Sequence, residues 1–88
     1  MPTIWIPPLL KQLTNGTHTV EIEGQSIREV IESLDLTYPG LKSRLCDNNE
    51  KIRPEIAVAV DGQIVTTGMR TRVSADSEVH FLPALSGG

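Results

Sequence analysis

Residues 26–34 read Ser-Ile-Arg-Glu-Val-Ile-Glu-Ser-Leu and contain the clearest helix signal in the chain. Ser26 and Glu29 are spaced as a capping box, in which each side chain satisfies a backbone N–H at the start of a helix. Apolar residues then recur at helical spacing, at Ile27, Val30, Ile31 and Leu34. The pattern predicts one amphipathic helix of about three turns that packs on a sheet and ends at Tyr38-Pro39-Gly40.

Alternating apolar runs on both sides of this helix predict strands at residues 3–6, 18–23, 55–60, 63–65 and 78–82. Pro7-Pro8 should end the first strand, and residues 9–13 are predicted to form a loop before the Asn15-Gly16 turn. Asp61-Gly62 is a strong hairpin turn. In the last strand, Val79 and Phe81 should face the core, and His80 and Leu82 the opposite side.

The element order β, β, α, β, β, β predicts an α+β fold of the ubiquitin-like β-grasp type. We expect a mixed sheet of four to five strands with one main helix across one face. The last strand should lie centrally and parallel to the first. The uncovered face would then hold Trp5 and Leu82, and we expect residues 66–73 to cover them; a surface for docking a partner is the alternative.

Size and composition favour a carrier or a binding module over an enzyme. The chain has 88 residues and a net charge of −3, and a domain of this size buries only roughly 60% of its unfolded surface. The charge balance indicates no nucleic-acid partner. The single cysteine, Cys46, excludes an internal disulfide and is interpreted as a packing residue, and His18 and His80 as surface or packing residues. No segment has the features of a secretory signal or the length of a membrane span, so we expect a soluble, cytoplasmic protein.

The segment Phe81-Leu-Pro-Ala-Leu-Ser-Gly-Gly88 follows directly from the last predicted strand. We expect residues 1–82 to form the β-grasp domain and residues 83–88 a flexible carboxyl-terminal tail. Pro83 should stop the strand, and Leu82, with Phe81 packed beneath it, should anchor a docking surface. Ala84, Leu85 and Ser86 would form an arm, and Gly87, which has no Cβ, would keep the end of that arm slim. We expect the chain to end at the carboxylate of Gly88.

Across nearly its whole length the chain resembles the sulfur-carrier family of MoaD and ThiS, and within it the CysO-type carriers of cysteine biosynthesis. The tail is the most specific feature of the resemblance. The other residues that carry it are Ile6-Pro7, Leu10, the helix at 26–34, Tyr38-Pro-Gly-Leu41, Ala75-Asp76 and Glu78-Val79. Two positions depart from the family pattern. Ser77 stands where the family often has glycine, and Ala84 stands where the molybdopterin branch commonly has a second proline.

The resemblance implies a carrier that is a substrate of other enzymes and has no catalytic residues, metal or bound cofactor of its own. An E1-like adenylyltransferase would use ATP and Mg²⁺ to adenylate Gly88, and sulfide or a persulfide would then give a thiocarboxylate. The implied sulfur acceptor is a cysteine synthase-like enzyme or the large subunit of molybdopterin synthase, and a JAMM-type metalloprotease is a further implied partner. The alternatives are a protein modifier joined to lysines through Gly88, the small subunit of molybdopterin synthase, and an interaction domain whose tail performs no chemistry.

Overall fold

The computed structural model describes residues 1–84. Its strands are β1 (Thr3–Trp5), β2 (Thr19–Glu21), β3 (Ile56–Val60), β4 (Gln63–Ile64) and β5 (Glu78–Pro83). The helices are α1 (Ile27–Thr37), α2 (Leu41–Leu45) and two 3₁₀ helices, Pro8–Thr14 and Gly68–Arg70. The strands form one sheet in the order β2-β1-β5-β3-β4, in which β1 and β5 are parallel and the other pairs antiparallel. This arrangement confirms the predicted α+β, β-grasp fold with a central last strand.

Helix α1 begins at the predicted cap, with a small difference in the second hydrogen bond. The Glu29 N–H donates to Ser26 Oγ over 3.2 Å. In return, Glu29 Oε1 accepts from the N–H of Gln25 over 3.1 Å, one residue earlier than in a standard capping box. The predicted apolar stripe of α1 is buried in the core, and its members are Ile27, Val30, Ile31 and Leu34.

Gly24 allows the connection between β2 and α1 to pass very close to the helix. A Cβ at this position would lie 2.8 Å from both the backbone nitrogen and the Cγ2 of Val30. Any other residue would therefore push the connection between β2 and α1 away from the helix. The glycine sets how closely α1 is tied to the sheet.

The two faces of the sheet differ in what covers them. The face toward α1 contributes Ile4, Val58, Val79 and Phe81 to the core. The opposite face carries Trp5, His80 and Leu82, as the strand alternation predicts. We call it the open face, because the side chains of Trp5 and Leu82 remain 39% and 38% exposed.

The prediction that residues 66–73 cover Trp5 and Leu82 is wrong. Two backbone hydrogen bonds tie this segment to the start of α1: Ile27 N–H donates to Thr71 O, and Val73 N–H donates to Gln25 O. Met69 and Val73 are consequently buried in the main core. The segment therefore packs on the same side of the sheet as α1, where its apolar residues are buried.

Residues 8–14 form a 3₁₀ helix rather than the predicted loop. The helix turns Leu10 into the core and leaves Leu9 90% exposed. Asn15, with φ of 56°, ends the helix, and Gly16, with φ of 83°, completes the predicted turn. Leu10 thus anchors the 3₁₀ helix in the core, while Leu9 on the same helix faces solvent.

Cys46 packs as predicted, at the end of α2, where it is a buried free thiol. Burial raises the pKa of this thiol above its usual value, because the thiolate would be poorly solvated. Among residues 1–84, no helix is both long and apolar enough to cross a membrane, and no cluster of His, Cys, Asp and Glu is arranged to hold a metal ion.

Candidate functional site

Strand β5 leads to the tail and has a neighbouring strand on both sides in its first half, at Val79 and His80. It pairs with β1 on one side and with β3 on the other. Val79 and Phe81 anchor it in the core, and Phe81 is only 2% exposed. The base of the tail is therefore held by the pairing of Phe81 to Pro83 with β3 and by the burial of Phe81 in the core.

Pro83 ends the strand as predicted, although it still pairs with β3. It is the last residue of β5 and stands opposite Ile56, and beyond it the N–H of Ala84 donates to Glu55 O over 2.8 Å. Because Ala84 points its N–H toward β3, the N–H that proline lacks would point to the other side, where β1 has already ended at Trp5. Proline therefore costs no ladder hydrogen bond here, and the chain is guided by the sheet as far as Ala84.

The open face around β5 has an ordered aromatic arrangement. The rings of Trp5 and His80 stack with centroids 5.0 Å apart and planes 9° from parallel. Trp5 Nε1–H also donates to Glu78 Oε1 over 3.1 Å. On β3, Ala57 and Ala59 stand opposite Leu82 and His80, so the open face carries only small side chains at these two positions of β3. The stack was not anticipated, because it depends on the parallel register of β1 and β5.

The start of β5 is fixed by Asp61, a second feature that the sequence did not indicate. Asp61 Oδ1 accepts from the Glu78 N–H over 2.9 Å, and its Oδ2 accepts from the Ser77 hydroxyl over 3.0 Å. Ser77 is buried and also contacts Ser74. The sequence predicted only a hairpin turn at Asp61-Gly62, whereas in the structure the Asp61 carboxylate also fixes the position of Ser77 and Glu78 at the start of β5. The hydroxyl of Ser77 gives a physical role to this departure from the family pattern.

An apolar groove of about 340 Å³ adjoins the point where the described chain stops. One wall is formed by residues 7–10, and the other by Ile56, Leu82 and Pro83, with Arg44 and Glu55 as its polar members. We call it the tail-root groove. It lies at the end of the sheet, and Leu82 belongs both to this groove and to the open face.

Four of the predicted site residues can be located. Phe81 lies in the core, Leu82 and Pro83 are exposed, and Ala84 is partly exposed beside β3. The predicted sulfur-bearing residue and the outer arm, Leu85, Ser86, Gly87 and Gly88, lie outside the described residues. The structure thus describes the support of the predicted site, and the roles assigned to its residues remain predictions.

The sequence model of the ThiS family matches residues 5–88, which is almost the whole chain. The chain belongs to the ThiS family. The match includes the tail as well as the folded body of this ThiS-family protein.

Individual relatives support the same placement. The ThiS-family chain is 30% identical over 90 residues to the sulfur carrier protein CysO of Mycobacterium tuberculosis, covering 98% of this chain and 97% of that protein. A crystal structure of a BexX/CysO complex from Amycolatopsis orientalis contains a chain of TM-score 0.90 and 31% identity, with full coverage of both chains. The crystal structure of Mycobacterium tuberculosis CysO also has a TM-score of 0.90, at 27% identity, covering 97% of this chain and 100% of that one.

A more distant neighbour shows the breadth of the fold. The small archaeal modifier protein 1 from Methanosarcina acetivorans superposes with a TM-score of 0.80 at 22% identity, covering 99% of this chain and 95% of that one. At this level of identity the likeness shows the shared β-grasp fold alone.

Proposed function

We propose that this ThiS-family protein is a sulfur carrier that bears sulfur as a thiocarboxylate on Gly88. The observation that carries the proposal is the 30% identity, over 98% of the chain, to the sulfur carrier protein CysO. The protein acts as a carrier and not as an enzyme. Its reactivity is supplied by the enzymes that load and unload it.

The chemistry requires activation because a free carboxylate is a poor electrophile. An E1-like enzyme joins the Gly88 carboxylate to the AMP moiety of ATP, with Mg²⁺ bound to the nucleotide, and releases pyrophosphate. Sulfide then attacks the acyl carbon, the bond from carbon to the AMP oxygen breaks, and AMP leaves with its electron pair. The product is a thiocarboxylate, an anionic sulfur nucleophile at the end of the chain.

The described residues support this role by holding the base of the tail. The sheet guides β5 to Ala84, whose N–H bonds Glu55 O, so residues 85–88 start from a fixed point. With no Cβ, Gly87 and Gly88 suit a narrow enzyme channel. Leu82 and Trp5 stay exposed on the open face, and this favours the alternative that the sequence left open, a docking surface for the enzymes that handle the tail.

The sulfur acceptor in this proposal is an enzyme of cysteine biosynthesis, a cysteine synthase-like protein, with a JAMM-type metalloprotease as a further partner. Support comes from the CysO relatives, one of which was solved in a complex with BexX. Ala84, at the position where the molybdopterin branch commonly has proline, makes the large subunit of molybdopterin synthase a less suitable acceptor.

Intact-mass analysis tests the loading step directly. The purified chain is incubated with an E1-like enzyme of the same organism, ATP, Mg²⁺ and a sulfide source, and one oxygen should be replaced by sulfur. A chain lacking Gly88 is the matched control, since its folded body is unchanged and it should not be loaded. Failure of the complete chain to gain sulfur with every E1-like enzyme of the organism would contradict the proposal.

A proteomic experiment distinguishes a protein modifier from a sulfur carrier. A lysine amine could attack the same adenylate and give an isopeptide bond. Because Arg72 is the last basic residue of the chain, trypsin digestion of cellular proteins would then leave residues 73–88 attached to lysines. Such adducts without any thiocarboxylate would favour the modifier.

A further inference from the structure

The open face carries negative charge at one end of its strands. Thr3 pairs with Glu21 on β2 and with Glu78 on β5, so the two glutamates stand on this face on either side of β1. Within residues 1–84, the strand positions of the open face hold no lysine or arginine. Charge complementarity therefore favours a partner that brings a cation to this end of the face.

The indole of Trp5 is stacked on one of its two ring faces. His80 pairs with Trp5 across β1 and β5, and the two rings lie nearly parallel with their centroids 5.0 Å apart. Thr19 pairs with Trp5 on the other side, so the second face of the indole is turned toward β2. Because β2 is an edge strand and Thr19 is too short to cover a ring, this second face stays accessible, and Trp5 is accordingly exposed.

The ring is held in place and bordered by carboxylates. Glu78 Oε1 accepts from the indole N–H of Trp5 over 3.1 Å, which fixes the ring together with the stack. Glu21 follows Thr19 by two residues on the same face of β2, about 7 Å along the strand. Among residues 1–84, the Glu21 carboxylate takes part in no salt bridge. A cation on the accessible face of Trp5 would therefore lie within reach of a carboxylate that has no counter-charge there.

We propose that the accessible face of Trp5, with Thr19 and Glu21, is a docking slot for an arginine side chain of a partner protein. We call it the arginine slot. Tryptophan is the aromatic side chain that attracts a cation most strongly. A planar guanidinium can stack on the indole and donate two parallel hydrogen bonds to the Glu21 carboxylate, whereas a lysine ammonium is a compact, strongly hydrated charge.

The partner that brings this arginine is an enzyme that binds the tail, and the proposed function requires the E1-like enzyme to be one. This choice of partner rests on the proposed function, whereas the arginine slot does not. Leu82 follows His80 by two residues on the open face, about 7 Å along β5. A typical interface covers about 800 Å² of each partner, so one contact can include both Leu82 at the base of the tail and the arginine slot.

An NMR titration of the full chain with N-acetylargininamide tests the arginine slot without any enzyme. The chain has one tryptophan, so a single indole N–H signal reports on Trp5. We expect a saturable shift and an affinity about two- to fivefold higher than for N-acetyllysinamide, which has the same charge. Glu21→Gln should lower the affinity for the arginine probe about two- to fivefold. Glu32→Gln, the same change on an exposed position of α1, is the matched control and should leave the affinity unchanged. Equal affinities for the two amides, or no effect of Glu21→Gln, would overturn the proposal.

The loading reaction tests the choice of partner. With the E1-like enzyme, ATP and Mg²⁺, Glu21→Gln should raise the KM for the carrier about two- to fivefold and change kcat little, because Glu21 belongs to the folded body and not to the tail. Glu32→Gln should change neither value. Normal loading of the unchanged chain with the same KM for Glu21→Gln would overturn the choice of partner. An unchanged chain that is not loaded would contradict the proposed function and this partner with it, while the titration still decides whether the slot binds arginine.

Discussion

Phe81 and Leu82 are consecutive residues of β5, yet they lie on faces of the sheet with different physical roles. Phe81 is 2% exposed against the layer formed by α1, while Leu82 is 38% exposed on the open face. The covered face is apolar throughout and closely packed. The open face carries a stacked Trp5–His80 pair, a hydrogen bond from Trp5 to Glu78, and small residues on β3.

This difference indicates that stability and recognition are separated across one sheet. Buried side chains on the covered face remove apolar surface from water, which is the main source of folding free energy. The open face contributes less burial and keeps its apolar side chains accessible. Substitutions on the two faces should therefore affect different measurements.

Truncating Phe81 should have the greatest effect on stability. Phe81→Ala removes a fully buried ring and should lower the free energy of unfolding by about 3–5 kcal/mol, a large share of the roughly 5–15 kcal/mol of a typical domain. Chemical denaturation measures the change. The matched control, Leu82→Ala, should cost about 1 kcal/mol or less. Equal losses at the two positions would show that the faces are not separated in this way.

Adding a methyl group at Gly24 should disturb the covered side next. In Gly24→Ala the new Cβ would lie 2.8 Å from the backbone nitrogen of Val30, so the start of α1 must shift, at a cost of about 1–3 kcal/mol. Glu23→Ala, at the exposed neighbouring position, should change the free energy of unfolding by no more than about 0.5 kcal/mol. Denaturant midpoints compare the two variants, and equal midpoints would contradict the close approach.

The aromatic pair of the open face should give a smaller but specific effect. Stacked aromatic pairs contribute about 0.5–1.5 kcal/mol beyond their buried area. A double-mutant cycle of Trp5→Ala and His80→Ala should return a coupling energy of this size. The cycle of Trp5→Ala with Glu55→Ala is a control and should show additivity. A coupling near zero for Trp5 and His80 would mean that the stack does not persist in solution.

Asp47, in the loop after α2, should make the stability of the protein depend on pH at a place away from the open-face stack. Hydrogen bonds from the backbone N–H of Lys51 and of Asn49 lower the pKa of its carboxyl below the ordinary value. A lowered pKa in the folded state stabilises the protein above the ordinary aspartate pKa, and this contribution is lost as the pH falls through the lowered value. Asp47→Asn should therefore be less stable than the unchanged chain near pH 7, and the difference should shrink below about pH 4. Denaturation curves at several pH values measure it, and a difference independent of pH would contradict this assignment.

The elements with a strong local pattern could be predicted from the sequence. The cap at Ser26 and the apolar spacing of α1 depend only on neighbouring residues, and so does the alternation that separates Phe81 from Leu82. Because each signal is local, it survives in the folded protein with changes of one or two residues. The bond of Glu29 to Gln25 instead of Ser26 is such a change.

Features that depend on distant partners could not be predicted in the same way. Met69 lies in a segment whose sequence has no regular apolar pattern, and only its contact with the α1 side of the core decides where that segment packs. The pairing of Pro83 with β3 depends on which edge its missing N–H would face, which requires the strand order. The tail-root groove likewise exists only because the 3₁₀ helix at Pro8–Thr14 comes close to the end of β5.

The parallel pairing of β1 with β5 has a consequence for how the protein folds. The two strands at the centre of the core are also the first and the last of the five in sequence, so their contacts join Thr3 to Glu78 and Trp5 to His80. Contacts of such high sequence separation raise the contact order and slow folding. During synthesis, β1, β2, α1 and β3 cannot close the sheet until β5 has been made. A chain interrupted before β5 would expose its apolar residues to chaperones and proteases, so the folded body and the tail are completed together.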